Sequence, residues 1–179
     1  MKSIKVKDLT VVALFVAIVS LCSFITMYFG TIPLTLQLLG VFCATDVLGP
    51  KRSFAAVVCY LLLGAVGLPI FNGFTGGLGN LFGATGGFLL SFLFVPPVVG
   101  LICRFKKNFV MFALGNFVGI IVCHICGVLW YWLVFIGDIS FDGLLSSLLT
   151  CSLPFLLPDI IKAIVAAFLS DRVRKIGIK

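Results

Sequence analysis

The placement of the basic residues restricts this chain most. Of its 13 Lys and Arg, all but Lys162 fall in four short clusters set between long apolar runs. Lys2, Lys5 and Lys7 open the chain, Lys51 and Arg52 and then Arg104, Lys106 and Lys107 interrupt it, and Arg172, Arg174, Lys175 and Lys179 close it. The runs between them are 17 or more residues long in most cases, and a membrane-crossing helix needs about 20, with a range of about 17–25. Composition agrees: 61% of residues are hydrophobic and 11% charged, where a soluble domain carries roughly 25% charged residues. So few charges cannot cover a water-facing surface, so lipid must be the main solvent.

The spans predicted on this basis are Leu9–Tyr28, Ile32–Leu48, Phe54–Phe71, Gly86–Ile102, Phe109–Ile136 and Leu144–Ser170. The second is marginal in length, the fifth is long enough to tilt, and the sixth is interrupted by Pro154 and Pro158. The alternate connections, near Gly30–Thr31, Asn72–Thr85 and Gly137–Gly143, hold no Lys or Arg. Cytoplasmic loops are the ones enriched in Lys and Arg. Six spans with both termini cytoplasmic put all four clusters on that side, whereas five or seven would scatter them. The reading is one all-α polytopic membrane domain over residues 1–179, with the lipid bilayer as its first partner.

Several function classes fall away. The net charge of +7 is the same basic-loop signature, so no nucleic-acid partner is expected. The apolar run from Leu9 to Phe29 exceeds the 7–15 residues of a signal-peptide core and is expected to stay as the first helix. The seven cysteines sit mostly within apolar runs and read as small buried hydrophobes. Cys123-His124-Ile125-Cys126 lacks the C-x-x-C-H order of haem attachment and has no second cluster to complete a zinc site, so neither a metal nor a cofactor is expected. There is no Lys between Lys51 and Lys106, which removes a phosphate-binding loop from the Gly-rich stretch. No G-x-S-x-G occurs, and one His with no second intramembrane acid gives little material for an enzyme.

What remains is a binding protein, and the candidate site starts at Asp159 and Lys162. Lys162 lies ten residues before Arg172, about 15 Å along a helix at 1.5 Å per residue, and so near the bilayer midplane. At spacing i, i+3 the two share a helical face. They either neutralise each other or face an internal polar site, as intramembrane charges usually do. Pro158 suits the first turn of a helix and predicts that the last helix restarts there. The stretch Gly73–Gly87 holds seven glycines and reads either as a flexible outer loop or as one wall of a site. In the second case Asn80 supplies donor and acceptor groups, and Phe71, Phe74 and Phe82 an apolar lining. Ala13 and Ala17 form a small-xxx-small pair on the first helix, suited to packing within the protein or to docking another membrane subunit. His124 reads as a packed residue, or as a proton relay if it has a partner.

Several segments, in this order, resemble one known family. They are Ile32-Pro33-Leu34-Thr35-Leu36-Gln37, Leu48-Gly49-Pro50-Lys51-Arg52, and the run Tyr60–Phe71. Gly76-Gly77, Gly83-Ala84-Thr85-Gly86-Gly87-Phe88, and the run Pro154–Ala163 containing Asp159 and Lys162 follow. The chain is similar to the BioY family, the biotin-specific substrate-binding (S) components of energy-coupling-factor (ECF) transporters. It departs from the pattern at Ala84, where Pro is usual, at Phe88, where Tyr is frequent, and at Pro158, where Gly commonly precedes the Asp.

The resemblance implies a six-helix S-component fold that captures biotin from outside and docks onto a membrane T component with two ATPase subunits. It also implies that the loop between the first two helices covers the ligand. Ala13 and Ala17 would contact the T component. Asn80, Asp159 and Lys162 would hold biotin, with Gln37, Phe71, Phe74, Gly76 and Phe88 completing the substrate-binding set. The chemistry agrees, since biotin's ureido ring has two N–H donors and one carbonyl. An ionised Asp159 accepts from the former, and Lys162 or Asn80 donates to the latter. The expected pose puts the ring at the Asp–Lys pair and the valerate carboxylate toward the outer mouth; the reverse pose sets the carboxylate on Lys162. Two other functions stay open: a self-sufficient proton-coupled carrier using Asp159, Lys162 or His124, and an S component for a different vitamin.

Overall fold

Three helices reach membrane length in the computed structural model, which describes residues 6–29 and 32–176. They are α1 (Val6–Phe24), α7 (Phe109–Trp130), which continues through a π-helical turn over Tyr131–Ile136, and α9 (Leu153–Lys175). Lys2, Lys5, the Gly30–Thr31 connection and Lys179 lie outside the described residues. Each long helix buries one stripe and exposes the rest, with Leu14, Ile121, Ile161 and Phe168 all on outward faces. Water would penalise so much exposed apolar surface; acyl chains do not.

Shorter elements complete the bundle. They are a hairpin of β1 (Thr26–Phe29) and β2 (Ile32–Thr35), then α2 (Gln37–Leu48), α3 (Pro50–Ala65), α4 (Leu78–Phe82), α5 (Gly86–Ser91), α6 (Val95–Ile102) and α8 (Phe141–Cys151). The chain is therefore mostly helical but not all-α. The strands pair antiparallel, with Thr26 opposite Thr35 and Met27 opposite Leu34. The expected second helix starts at Gln37, not Ile32. Pro33 supplies no N–H and disfavours helical backbone at Ile32, and β-branched Ile32 and Thr35 suit a strand. The same hairpin shortens the first helix, which ends at Phe24 and not Tyr28.

Proline and glycine account for the other departures. α3 ends at Ala65, not Phe71, because Gly67 takes φ +112° and Pro69 follows. The fourth span splits into α5 and α6, since Pro96 and Pro97 cannot donate to the carbonyls of Phe92 and Leu93. In the sixth span the break falls at Ser152. The last helix restarts at Leu153, with Pro154 in its first turn and Pro158 inside it, not at Pro158 as the sequence suggested. Pro154 already meets the need for a residue without an N–H, and Pro158 then removes only the donor that would pair with the Pro154 carbonyl.

α2 is the hub. Eight of its 12 residues are buried, Gln37 and Asp46 among them. α9 packs most extensively on α2 and α7, while α1 and α3 pack on α2 from the other side. One polar tie crosses the centre: the Asn116 amide on α7 donates to Asp46 Oδ2 on α2 (3.0 Å) and to the Ala163 carbonyl on α9 (3.3 Å).

Candidate functional site

Asp159 and Lys162 project from α9 into the bundle, not toward lipid. They are 8% and 6% exposed, and both line a cavity. Lys162 Nζ lies 2.6 Å from Asp159 Oδ1. The pair is thus closed on itself and also borders open space, which joins the two roles the sequence left as alternatives. The cavity gives about 60 Å³ to the centres of water-sized spheres, and one water needs about 10–15 Å³ on that measure.

The walls come from β2, from α2, α5, α7, α8 and α9, and from the Gly-rich stretch. Gln37 and Leu38 enter at the start of α2, Phe88 and Leu89 from α5, Cys123 from α7 and Phe155 from α9. Residues Ile32–Thr35 of β2 close one side, with Asn72 and Thr85 of the Gly-rich stretch beside them. Gln37 is held on both ends of its amide: Nε2 donates to Tyr60 Oη (2.6 Å), and Oε1 accepts from Thr35 Oγ1 (2.9 Å). Tyr60 in turn donates to the Ile70 carbonyl at 3.2 Å. Phe88 can lie flat against α7 because Gly127 has no Cβ to meet its ring.

The second oxygen of Asp159 has a partner that sequence reasoning missed. His124 Nε2 on α7 lies 3.1 Å from Oδ2, and His124 Nδ1 lies 2.8 Å from Ser152 Oγ. Ser152 sits at the α8–α9 break and caps no helical N–H with its side chain, so its hydroxyl is available to the imidazole. The ring of Phe88 meets that imidazole edge-on, with centroids 6.0 Å apart. The usable signal was the rarity of an ionisable residue within an apolar span; the 35 residues between His124 and Asp159 hid the partner.

Not every expected residue reaches the cavity. Phe71 is fully buried in the core against Tyr60, while Phe74 and Phe82 are 64% and 66% exposed. Phe74 stacks on Phe24 with centroids 4.2 Å apart. Gly76 lies outside the lining, its carbonyl accepting from Asn80 Nδ2 at 2.8 Å. Asn80 Oδ1 accepts from Thr75 Oγ1 at 3.2 Å, so its amide ties the loop together, and Asn72 is the asparagine on the cavity wall. Ala13 and Ala17 are exposed on α1, away from the face that buries Phe15 and Val19. Among the described residues no cluster of three or more His, Cys, Asp or Glu is placed to hold a metal ion.

A carboxylate, an ammonium and two amides thus line one chamber with Phe, Leu, Ile, Pro, Thr and Cys side chains. Such a site suits a guest with a compact polar head that both donates and accepts, carried on an apolar body. Comparison with known proteins points the same way. The sequence profile of the BioY family matches residues 1–178. A probable biotin transporter BioY of Pyrococcus horikoshii is 36% identical over 170 residues, covering 95% of this chain and 98% of that one. The biotin transporter BioY of Thermotoga maritima is 32% identical, covering 97% and 99%. A crystal structure of the S-component for biotin from an ECF-type ABC transporter superposes with a TM-score of 0.79 at 29% identity, covering 95% and 92%.

Proposed function

The chain belongs to the BioY family, and from that premise we propose how its cavity takes up biotin. The protein is an integral membrane protein, the biotin-binding S component of an ECF-type importer. Its work is transport, not catalysis. It crosses the cell membrane six times with both termini in the cytoplasm, and the one-sided basic clusters support that topology. It captures biotin from outside and passes it on through a T component driven by two ATPase subunits. The exposed Ala13 and Ala17 on α1 are the docking face for the T component.

The observation that carries the site assignment is the Asp159–Lys162 pair beside a cavity walled by aromatic rings. The ureido head reaches the pair, an N–H going to Asp159 and the carbonyl to Lys162, while the bicyclic body lies among Phe88, Leu38 and Phe155. Gln37 and Asn72 border the head; Asn80 and Gly76 hold the Gly-rich loop, and Phe71 and Phe74 support it from behind and outside. Asp159 and Lys162 are buried, so a ligand reaches them by the parting of a wall. The β1–β2 hairpin is the candidate, tied to α1 through the Leu36 N–H shared by the Cys22 and Ile25 carbonyls.

Equilibrium binding of a vitamin panel to the purified protein tests this. Saturable binding of biotin alone is expected, and failure to bind biotin overturns the reading. Biotin methyl ester sets the pose: retained affinity places the carboxylate at the mouth, and loss of binding places it on Lys162. The contact of His124 with Asp159 would also serve a self-sufficient proton-coupled carrier. Uptake by this chain alone in vesicles, collapsed by a protonophore, would favour that carrier.

A further inference from the structure

We infer that His124, oriented by Ser152, decides how Asp159 meets its ligand: by holding Oδ2 it fixes the plane of the carboxylate, and with it the directions in which the remaining lone pairs accept a ligand N–H. This rests on the biotin-binding reading above. His124 is a positioning residue, because it borders an apolar groove between α7, α8 and α9 and not the cavity itself.

Donor and acceptor chemistry assigns the hydrogens once Asp159 is ionised. His124 and Ser152 are each 7% exposed, so water does not satisfy the imidazole. An ionised Asp159 only accepts, so Nε2 must carry the hydrogen of the 3.1 Å bond. A hydroxyl both donates and accepts. Ser152 therefore donates to Nδ1 when the ring is neutral and accepts from it when the ring is charged, and the bond to Asp159 persists in either state. The groups facing His124 are Asp159 and, through it, Lys162 on α9, Ser152 at the α8–α9 break and the Phe88 ring on α5.

A positioning rule follows. Each carboxylate oxygen has two lone pairs, so a ligand N–H can join His124 on Oδ2 or Lys162 on Oδ1 without displacing either, provided that the carboxylate keeps its plane. Without the His124 bond the carboxylate can turn about its own axis and misdirect those lone pairs.

Biotin affinity of purified variants tests this. H124L should weaken binding by at least about tenfold, because the carboxylate loses the bond that aims it at the ligand. H124Q, whose amide still offers an N–H, should stay within about threefold of the unsubstituted protein. S152A should cost about threefold in the unsubstituted protein and nothing in H124Q, because glutamine has no tautomer to fix; a purely structural role would give the same cost in both. Unchanged affinity in H124L, equal losses in H124L and H124Q, or an S152A effect that survives in H124Q would each overturn the inference. If H124L does not fold, the Ser152 and H124Q set decides alone. Loss of biotin binding by the unsubstituted protein would instead remove the functional reading beneath it.

Discussion

Asp159 is buried in an apolar helix bundle, and every atom of its carboxylate is already held by protein. Replacing it with Asn removes the ionised acceptor and strands Lys162. Hydrogen bonds to charged groups contribute about 1.5–3 kcal/mol, and each 1.4 kcal/mol is about tenfold in affinity. Asp159→Asn is therefore expected to cut biotin affinity by at least about tenfold in an equilibrium titration; undiminished binding would take Asp159 out of the site. Gly127 makes a second residue-scale prediction. A Cβ there would overlap the Phe88 ring and push it toward the cavity, so Gly127→Ala should weaken binding while leaving the far end of the bundle intact. These residues differ in how far the sequence exposed them. Two charges in an apolar helix stand out at once, because each costs about 2.5–3.5 kcal/mol at a helix centre unless it has a partner. A glycine that makes room for a ring from another helix, or a histidine paired across 35 residues, carries no local pattern.

At the scale of elements, apolar length located the helical segments, but proline, glycine and strand pairing set their ends. The long spans α7 and α9 were legible because one continuous apolar run supports each. The hairpin was not, because a short run of Ile, Leu, Thr and Pro reads equally as the start of a helix or as a strand, and only pairing with β1 decides. Tyr60 ties α3 to both α2 and the 66–71 segment, through Gln37 and the Ile70 carbonyl. Tyr60→Phe deletes that hydroxyl from a fully buried position and leaves Gln37 one partner short. The expected loss is about 1–3 kcal/mol of stability, read as a lower Tm in detergent. Because Gln37 also borders the cavity, biotin should restore part of that loss.

Across the whole molecule, the basic clusters and the apolar faces support the proposed orientation in the bilayer. A reporter fused after residue 179 should be active only in a form that folds in the cytoplasm, and activity of an exported reporter there would reverse the proposed topology. The protein alone in vesicles should bind biotin but not accumulate it, with uptake appearing only when the T component and ATPases are added. The Asn116 clamp bears on how that uptake can occur. It fastens α2, α7 and α9 to one another one residue from Lys162, so spreading these three helices must first break two hydrogen bonds. Lifting the β1–β2 hairpin would leave that clamp whole, so the cheapest way to reach the buried charges runs past the hairpin and not through the waist of the bundle.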